Sequence, residues 1–360
     1  MIKFNVLKLQ PGMVLAESVV AHNGQQILDK DTVLDEKCIT KLAFNAVTYV
    51  QLKANEAGEP IIEKIAEKRE SLHERTVNSQ EFKVFKKSFE DTKEAYATAV
   101  NDIVTNNAEV DSKKLTEHVL DLFTKSSQAT SVFDVLHSMR EYDDSTYTHC
   151  INVSLISVVF GKWLGMSQEE LDTLSLAGLL HDIGKLLIPD EIVKKPTQLT
   201  DEEFLLMKTH PQKGYDLLKE ANLSDHVKNA ILMHHEKCDG TGYPNGLTAD
   251  KIDEYAKIVA IADVYDATTS ARVYRGALCP FKVLEIFKEE GYQKYDTRFI
   301  MTFMERVVNT YIGQDVLLSN DEIATVIFVN KLEPSRPIVK TATNCYDLSQ
   351  MKDVSIMSLV

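Results

Sequence analysis

The sequence predicts a mainly α protein: a helical bundle flanked by a small β-rich unit at its N-terminus and a short β extension at its C-terminus. Three observations point there. Apolar residues recur at helical spacing through residues 126–312. Turn signals and short alternating runs fill residues 1–57, and short alternating runs return after Gly313. The implied divisions are an accessory unit over 1–57, a helical connecting region over 58–125, the main helical domain over 126–312 and the extension over 313–360.

In the first unit, Pro11-Gly12 and Asn23-Gly24 are turn signals, the second with Ile27-Leu28 after it as in a hairpin. Residues 39–44 suit one helix, and residues 47–52 alternate like a strand. The stretch Ala54-Asn-Glu-Ala-Gly-Glu-Pro60 reads as a linker. Beyond it Phe82, Phe85, Phe89, Tyr96, Val100 and Ile103 fall near one helical face. That face is expected to pack inside the protein, and it is also a candidate for joining two copies in a homodimer. Helical spacing follows over residues 171–187, 201–220, 224–236, 256–269 and 280–290. Two segments interrupt it, 187–200 with Pro189 and Pro196, and 238–247 with Gly240, Gly242, Pro244 and Gly246. Loops of this kind in a helical scaffold are common places for function. After Gly313 a hairpin is expected around Ser319-Asn320-Asp321, with short strands at Pro337-Ile-Val and Val354-Ser-Ile-Met.

Composition narrows the function. The net charge of −14 argues against a general DNA or RNA binder, which usually carries a basic field. A small anionic ligand would need a local cationic site. The longest apolar candidate, residues 150–161, is interrupted by Asn152, Ser154 and Ser157, so no membrane span is expected. Residues 1–10 lack the pattern of a signal peptide, and a cytoplasmic location is the default expectation. Cys38, Cys150, Cys238, Cys279 and Cys345 form no C-x-x-C pair, which argues against both a disulfide framework and a structural zinc site.

The chemistry lies in the histidines. Of ten, five sit in the helical middle with acidic companions: His149, His181 beside Asp182, His210, the pair His234-His235, and then Asp263. Each gap fits roughly one helix and its connection, so successive helices of a bundle can each donate ligands to a shared core. Imidazoles and carboxylates without thiolate suit iron or manganese, with zinc as a further option. Seven groups exceed one tetrahedral site. Two divalent metal ions fit better, with Asp182 as the natural bridge. Such a pair can bridge a hydroxide and stabilise attacking and leaving oxygens of an in-line displacement. Burying these groups without metal would cost several kcal/mol. His22, His73, His118, His137 and His226 read as ordinary core or surface groups.

Lys185, four residues after His181 and next to Gly184, reads either as a contact to a scissile phosphate from the same helix face or as a snorkelling surface lysine. In the loop Asp239-Gly240-Thr-Gly242-Tyr243-Pro244, glycines allow close backbone approach and proline stiffens the exit. Arg272 and Arg275 read equally as ligands of a phosphate that is not being cut and as cations at a solvated helix end.

Taken together, Ala177-Gly-Leu-Leu-His-Asp-Ile-Gly-Lys185, Ile188-Pro-Asp-Glu-Ile192, Lys195-Pro196, His210-Pro with Gly214, His234-His-Glu236, Asp239-Gly-Thr-Gly-Tyr-Pro244 and Ile261-Ala-Asp-Val-Tyr-Asp-Ala267 closely resemble HD-GYP domains over about residues 130–312. The resemblance implies a phosphodiesterase that hydrolyses cyclic di-GMP to pGpG, and often on to GMP; some members prefer 3′,3′-cyclic GMP-AMP. It implies that His149, His181, Asp182 and Asp263 serve one metal, and that Asp182, His210, His234 and His235 serve the other. Asp182 and Lys185 are the implied catalytic residues, with Lys185 at the scissile phosphate. Arg272 and Arg275 match the family's Arg-Pro-Tyr-Arg stretch, with Val273 in place of proline. Asp239, Gly240, Gly242, Tyr243 and Pro244 would shape the substrate site and offer a surface to a diguanylate cyclase. Tyr295-Asp-Thr297 stands where Phe-Asp-Pro is common. Ser145 stands four residues before His149, where trimetal members carry glutamate, so two metals are expected; Asp143 and Asp144 lie nearby but off that spacing. A scaffold that only recruits diguanylate cyclases ranks below catalysis, because all seven ligands are present.

Overall fold

The computed structural model describes residues 1–20, 26–45, 47–55, 58–62, 72–129, 132–139, 145–270 and 277–360. The chain divides into two compact units, Met1–Glu70 and Ser71–Val360. The turn expected at Asn23-Gly24, the arginines Arg272 and Arg275, and Asp143 and Asp144 lie outside the described residues.

The first unit pairs β1 (Ile2–Asn5) antiparallel with β4 (Tyr49–Leu52), and β2 (Val19–Val20) with β3 (Gln26–Leu28). Helix α1 (Glu36–Phe44) starts at Asp35, whose carboxylate accepts from the Cys38 amide at 2.6 Å. Val6, Leu15, Ile27, Leu34, Leu42, Val50 and Leu52 form a core of its own.

The second unit begins with α2 (Leu72–Asn78) and the long α3 (Gln80–Asn106), capped by Ser79. The six apolar residues read as one face of α3 are all buried, in the same core as the helices that follow. This chain's own bundle therefore uses the stripe. Next come α4 (Ser112–Ala129), α5 (Val132–Met139), α6 (Thr146–Trp163) and α7 (Gln168–Leu180). Helix α6 is buried on nearly every side, which is why its sequence lacks a polar face. It meets α7 through small residues: a Cβ on Gly178 would lie 2.7 Å from the Ser154 Cα, and the Ser154 hydroxyl donates to the Ser175 carbonyl at 2.7 Å.

The helix expected over residues 171–187 stops at Leu180. A separate 3-10 turn, Ile183–Leu187, follows. Then α8 (Asp190–Val193), α9 (Asp201–Met207), α10 (His210–Leu218), α11 (Asp225–Met233), α12 (Glu254–Thr269), α13 (Pro280–Lys294) and α14 (Thr297–Asn309) complete the bundle. The single helix expected over 201–220 is two, because Pro211 has no amide to continue the ladder and instead opens α10. No helix among the described residues is long and apolar enough to cross a membrane.

Strands β5 (Asp315–Leu318), β6 (Ile323–Phe328), β7 (Ile338–Lys340), β8 (Cys345–Asp347) and β9 (Ile356–Leu359) form one antiparallel sheet in the order β8-β7-β6-β5-β9. Val316, Leu318, Ala324, Val326 and Val339 bury one face in the same core as the helices, so the extension is part of the bundle's packing. Gln314, just before β5, donates to the buried Asp134 of α5 at 2.6 Å.

Burial raises the Asp134 carboxyl to about 6, with the Gln314 hydrogen bond opposing the shift. The folded state thus holds this proton more tightly than the unfolded chain. Its contribution to stability is present below about pH 4 and is lost as pH rises through about 6. Asp134→Asn removes that dependence. In urea melts, the variant should gain about 1–2 kcal/mol on the wild type between pH 5 and pH 8.

Candidate metal centre

Five helices deliver the cluster. His149 lies on α6; His181 caps the C-terminal end of α7 and Asp182 follows it; His210 opens α10; His234 and His235 follow α11; Asp263 lies on α12. All seven candidates from the sequence come together. Asp182, His210, His234 and His235 bring ligand atoms within 4.8 Å of one another, and so do His149, His181 and Asp182. Asp182 belongs to both groups. Its Oδ1 lies 3.2 Å from His210 Nε2 and 3.6 Å from His234 Nε2, whereas its Oδ2 lies 3.6 Å from His149 Nε2 and 3.4 Å from His181 Nε2. Asp263 reaches both sides, with Oδ1 at 3.0 Å from His149 Nε2 and Oδ2 at 3.9 Å from His235 Nδ1.

The break after Leu180 is what points Asp182 inward. The 3-10 turn packs against α10 so closely that a Cβ on Gly184 would lie 1.9 Å from the His210 carbonyl oxygen and 2.7 Å from the Gly214 amide. Gly184 therefore makes room for α10's backbone. The same turn takes Lys185 off the helix of His181. Its ammonium, partly buried, pairs with Asp182 Oδ2 three residues back.

Hydrogen bonds fix the imidazoles. Nδ1 of His181, His210 and His234 faces the carbonyls of Gly178 (2.8 Å), Met207 (2.8 Å) and Ile231 (3.0 Å). A carbonyl only accepts, so each Nδ1 carries a proton and Nε2 is the atom turned toward the cluster. Burial lowers the proton affinity of His210 and His234, and that of His235 strongly. Asp182 is held well below the ordinary carboxylate range: burial opposes this, but Lys185 and His181 outweigh it. Asp263 is held low in the same way, burial being outweighed chiefly by His149. Burial alone would lower His149, yet the carboxylates of Asp263 and Asp266 raise it to about 9.

Ionised carboxylates facing His210, His234 and His235, whose imidazoles burial keeps neutral, are donors a divalent metal can use, and His149 would give up its Nε2 proton to bind one. Among the described residues, His181 Nε2 and Asp182 Oδ1 are buried without a hydrogen-bond partner, a costly arrangement that a cation would relieve. The residues present fit the group.

Around the cluster, the Tyr243 ring stacks on His235 with centroids 4.7 Å apart. Glu236, 3 % exposed, accepts from the Asn245 and Leu247 amides at 2.7 and 2.9 Å and so ties down the 239–247 loop. A Cβ on Gly242 would lie 2.4 Å from the Glu236 Cα, which explains why that loop needs glycine there. Ser145 caps α6 through the Thr148 amide at 3.2 Å. The sequence motifs contain Glu236 and Asp266 but assign neither a role; the Asp266 carboxylate lies 2.8 Å from His149 Nδ1. Asp266 did leave a signal, its spacing of one helical turn from Asp263.

These features define the class: a helical bundle whose buried cluster centres on a consecutive histidine–aspartate pair. A family model described as HD domain matches residues 117–299, about half of the chain, and the chain belongs to that family, in its HD-GYP branch. It is 35% identical over 191 residues to the cyclic di-GMP phosphodiesterase PA4108 of Pseudomonas aeruginosa, covering 52% of this chain and 46% of that one. It is 42% identical over 137 residues to the cyclic di-GMP phosphodiesterase response regulator RpfG of Xanthomonas campestris, covering 38% and 36%. It is 39% identical over 145 residues to the 3′3′-cGAMP-specific phosphodiesterase 1 of Vibrio cholerae, covering 40% and 34%. The matches thus span less than half the length of each of these curated relatives.

Replacing Gly184 by alanine should push α10, and His210 with it, away from Asp182. The expected loss is about 3 kcal/mol or more in a urea melt, with reduced metal retention. A variant with wild-type stability would contradict the close contact.

Proposed function

We propose that this chain is a metal-dependent phosphodiesterase that hydrolyses cyclic di-GMP to pGpG. The observation that carries this reading is the Asp182 carboxylate, with one oxygen toward His210 and His234 and the other toward His149 and His181. Two divalent ions, iron or manganese from the donor set, would be held by His149, His181, Asp182 and Asp263 on one side and by Asp182, His210, His234 and His235 on the other. When bound, they supply positive charge to phosphoryl oxygens and lower the pKa of water.

The remaining work falls to the chain itself. The ammonium of Lys185, at the edge of the cluster, donates to a non-bridging oxygen of the scissile phosphate. Tyr243 walls the site beside His235, and Glu236 holds the loop that carries it. Arg272 and Arg275 take the second phosphate. Asp239 and Thr241 are exposed at the loop tip, which suits that loop to docking a diguanylate cyclase. The acidic net charge is compatible, since metals and Lys185 make the local field positive.

A second substrate, 3′,3′-cyclic GMP-AMP, is favoured by the resemblance to the Vibrio cholerae enzyme of that specificity. It differs in one base and uses the same phosphodiester chemistry.

Protein purified anaerobically should carry about two iron or manganese ions per chain and turn over cyclic di-GMP faster than cyclic GMP-AMP. The reverse ranking would reassign the substrate. Full metal occupancy with no turnover of either would replace catalysis by a scaffold role. Asp182→Ala should lose both metal and turnover, and retention of both would overturn the mechanism. Lys185→Ala should keep its metal and lose about 10²–10³-fold in kcat.

A further inference from the structure

Asp266 is 1 % exposed, and among the described residues no lysine or arginine pairs with it. A buried carboxylate is costly unless its oxygens are well engaged. Here they are. Oδ2 faces His149 Nδ1 at 2.8 Å; Oδ1 accepts from Asn152 Nδ2 at 3.1 Å and from the Ser270 hydroxyl at 3.4 Å.

The arrangement is paired across two helices. On α6, Asn152 follows His149 by three residues; on α12, Asp266 follows Asp263 by three. Each helix thus carries one cluster residue and, a turn later, one residue that holds the network. His149 Nε2 points at Asp263 Oδ1 (3.0 Å) while its Nδ1 is held by Asp266, so the ring is clamped at both nitrogens. His181, His210 and His234 differ: their Nδ1 atoms meet neutral main-chain carbonyls three residues back. Among these four imidazoles, His149 alone is backed by a full negative charge. A carboxylate behind a ligating imidazole fixes its tautomer and raises its basicity, and loss of such a partner typically costs 10–100-fold in metal affinity.

We infer that Asp266, itself held by Asn152, is a positioning residue for His149 that strengthens the His149 side of the metal centre selectively, so that the two metal positions are unequal. The inference rests on the two-metal reading above. It adds a ranking: the position served by His149 holds its ion more tightly than it would with a neutral backing group, and depends on a residue that touches neither metal nor substrate.

The test is a Mn²⁺ titration of the metal-stripped full chain, read as stoichiometry and affinity by calorimetry, with thermal melts as the folding control. Wild type should bind two ions. Asp266→Asn keeps an acceptor for His149 Nδ1 but loses the charge; it should weaken one ion about 10-fold and leave the other unchanged. Asp266→Ala loses both and should weaken the same ion about 100-fold. His149→Ala, which identifies that position, should remove the same ion, and His210→Ala the other. If Asp266→Ala fails to fold, Asn152→Ala replaces it, with a weaker effect expected on the same ion. In the proton NMR spectrum of the stripped protein, a downfield imidazole N–H resonance should be present in wild type and lost in His149→Ala and Asp266→Ala. Unchanged binding of both ions in folded Asp266→Asn, or equal weakening of both, would overturn the inference. A wild type that binds a single ion would remove the two-metal reading and with it the inequality of two positions; weakening of that ion in Asp266→Asn as in His149→Ala would then support the positioning role of Asp266 alone, and no weakening would overturn that too.

Discussion

Everything at the cluster depends on two places where backbones touch because a side chain is missing. At Gly178, α7 lies against the Ser154 backbone of α6. At Gly184, the 3-10 turn lies against the start of α10. The first contact sets His181 beside His149, and the second sets Asp182 against His210. Imidazole ligands reach only a few ångströms from their helices, so helix spacing decides whether the atoms converge. Small residues permit that spacing, and the surrounding apolar core, from Phe85 and Phe89 to Phe299 and Phe303, holds it.

Electrostatics follows from that packing. Burial favours uncharged histidines, and the same burial would expel the three carboxylates if nothing answered them. Lys185 answers Asp182, while His149 answers Asp263 and Asp266. The acidic protein therefore keeps a cation-seeking core without an overall basic field. Charge composition speaks about long-range partners and says little about a buried site of seven side chains.

The cluster was legible in the sequence because its ligands come singly or as adjacent pairs from five helices, at gaps that leave room for a helix and its connections. The burial of the α3 stripe was legible because periodicity encodes it directly. The break at His181-Asp182 was not. The run from 171 to 187 keeps helical spacing, and only contact with α10, distant in sequence, selects the 3-10 turn. That turn also moved Lys185 from the face of His181 to a pairing with Asp182. Gly184 is space for the backbone of α10, which a period in one segment does not record. Asp266 escaped for a related reason: its role depends on α6 lying opposite α12.

A centre drawn from five helices also acts as a rivet. Whatever free energy an ion gains by binding there is withheld from an unfolded chain, where these donors are scattered. Metal supply and heat would then act on one equilibrium. Scarcity of metal would then lower the resistance of the fold to proteolysis together with the occupancy of the centre.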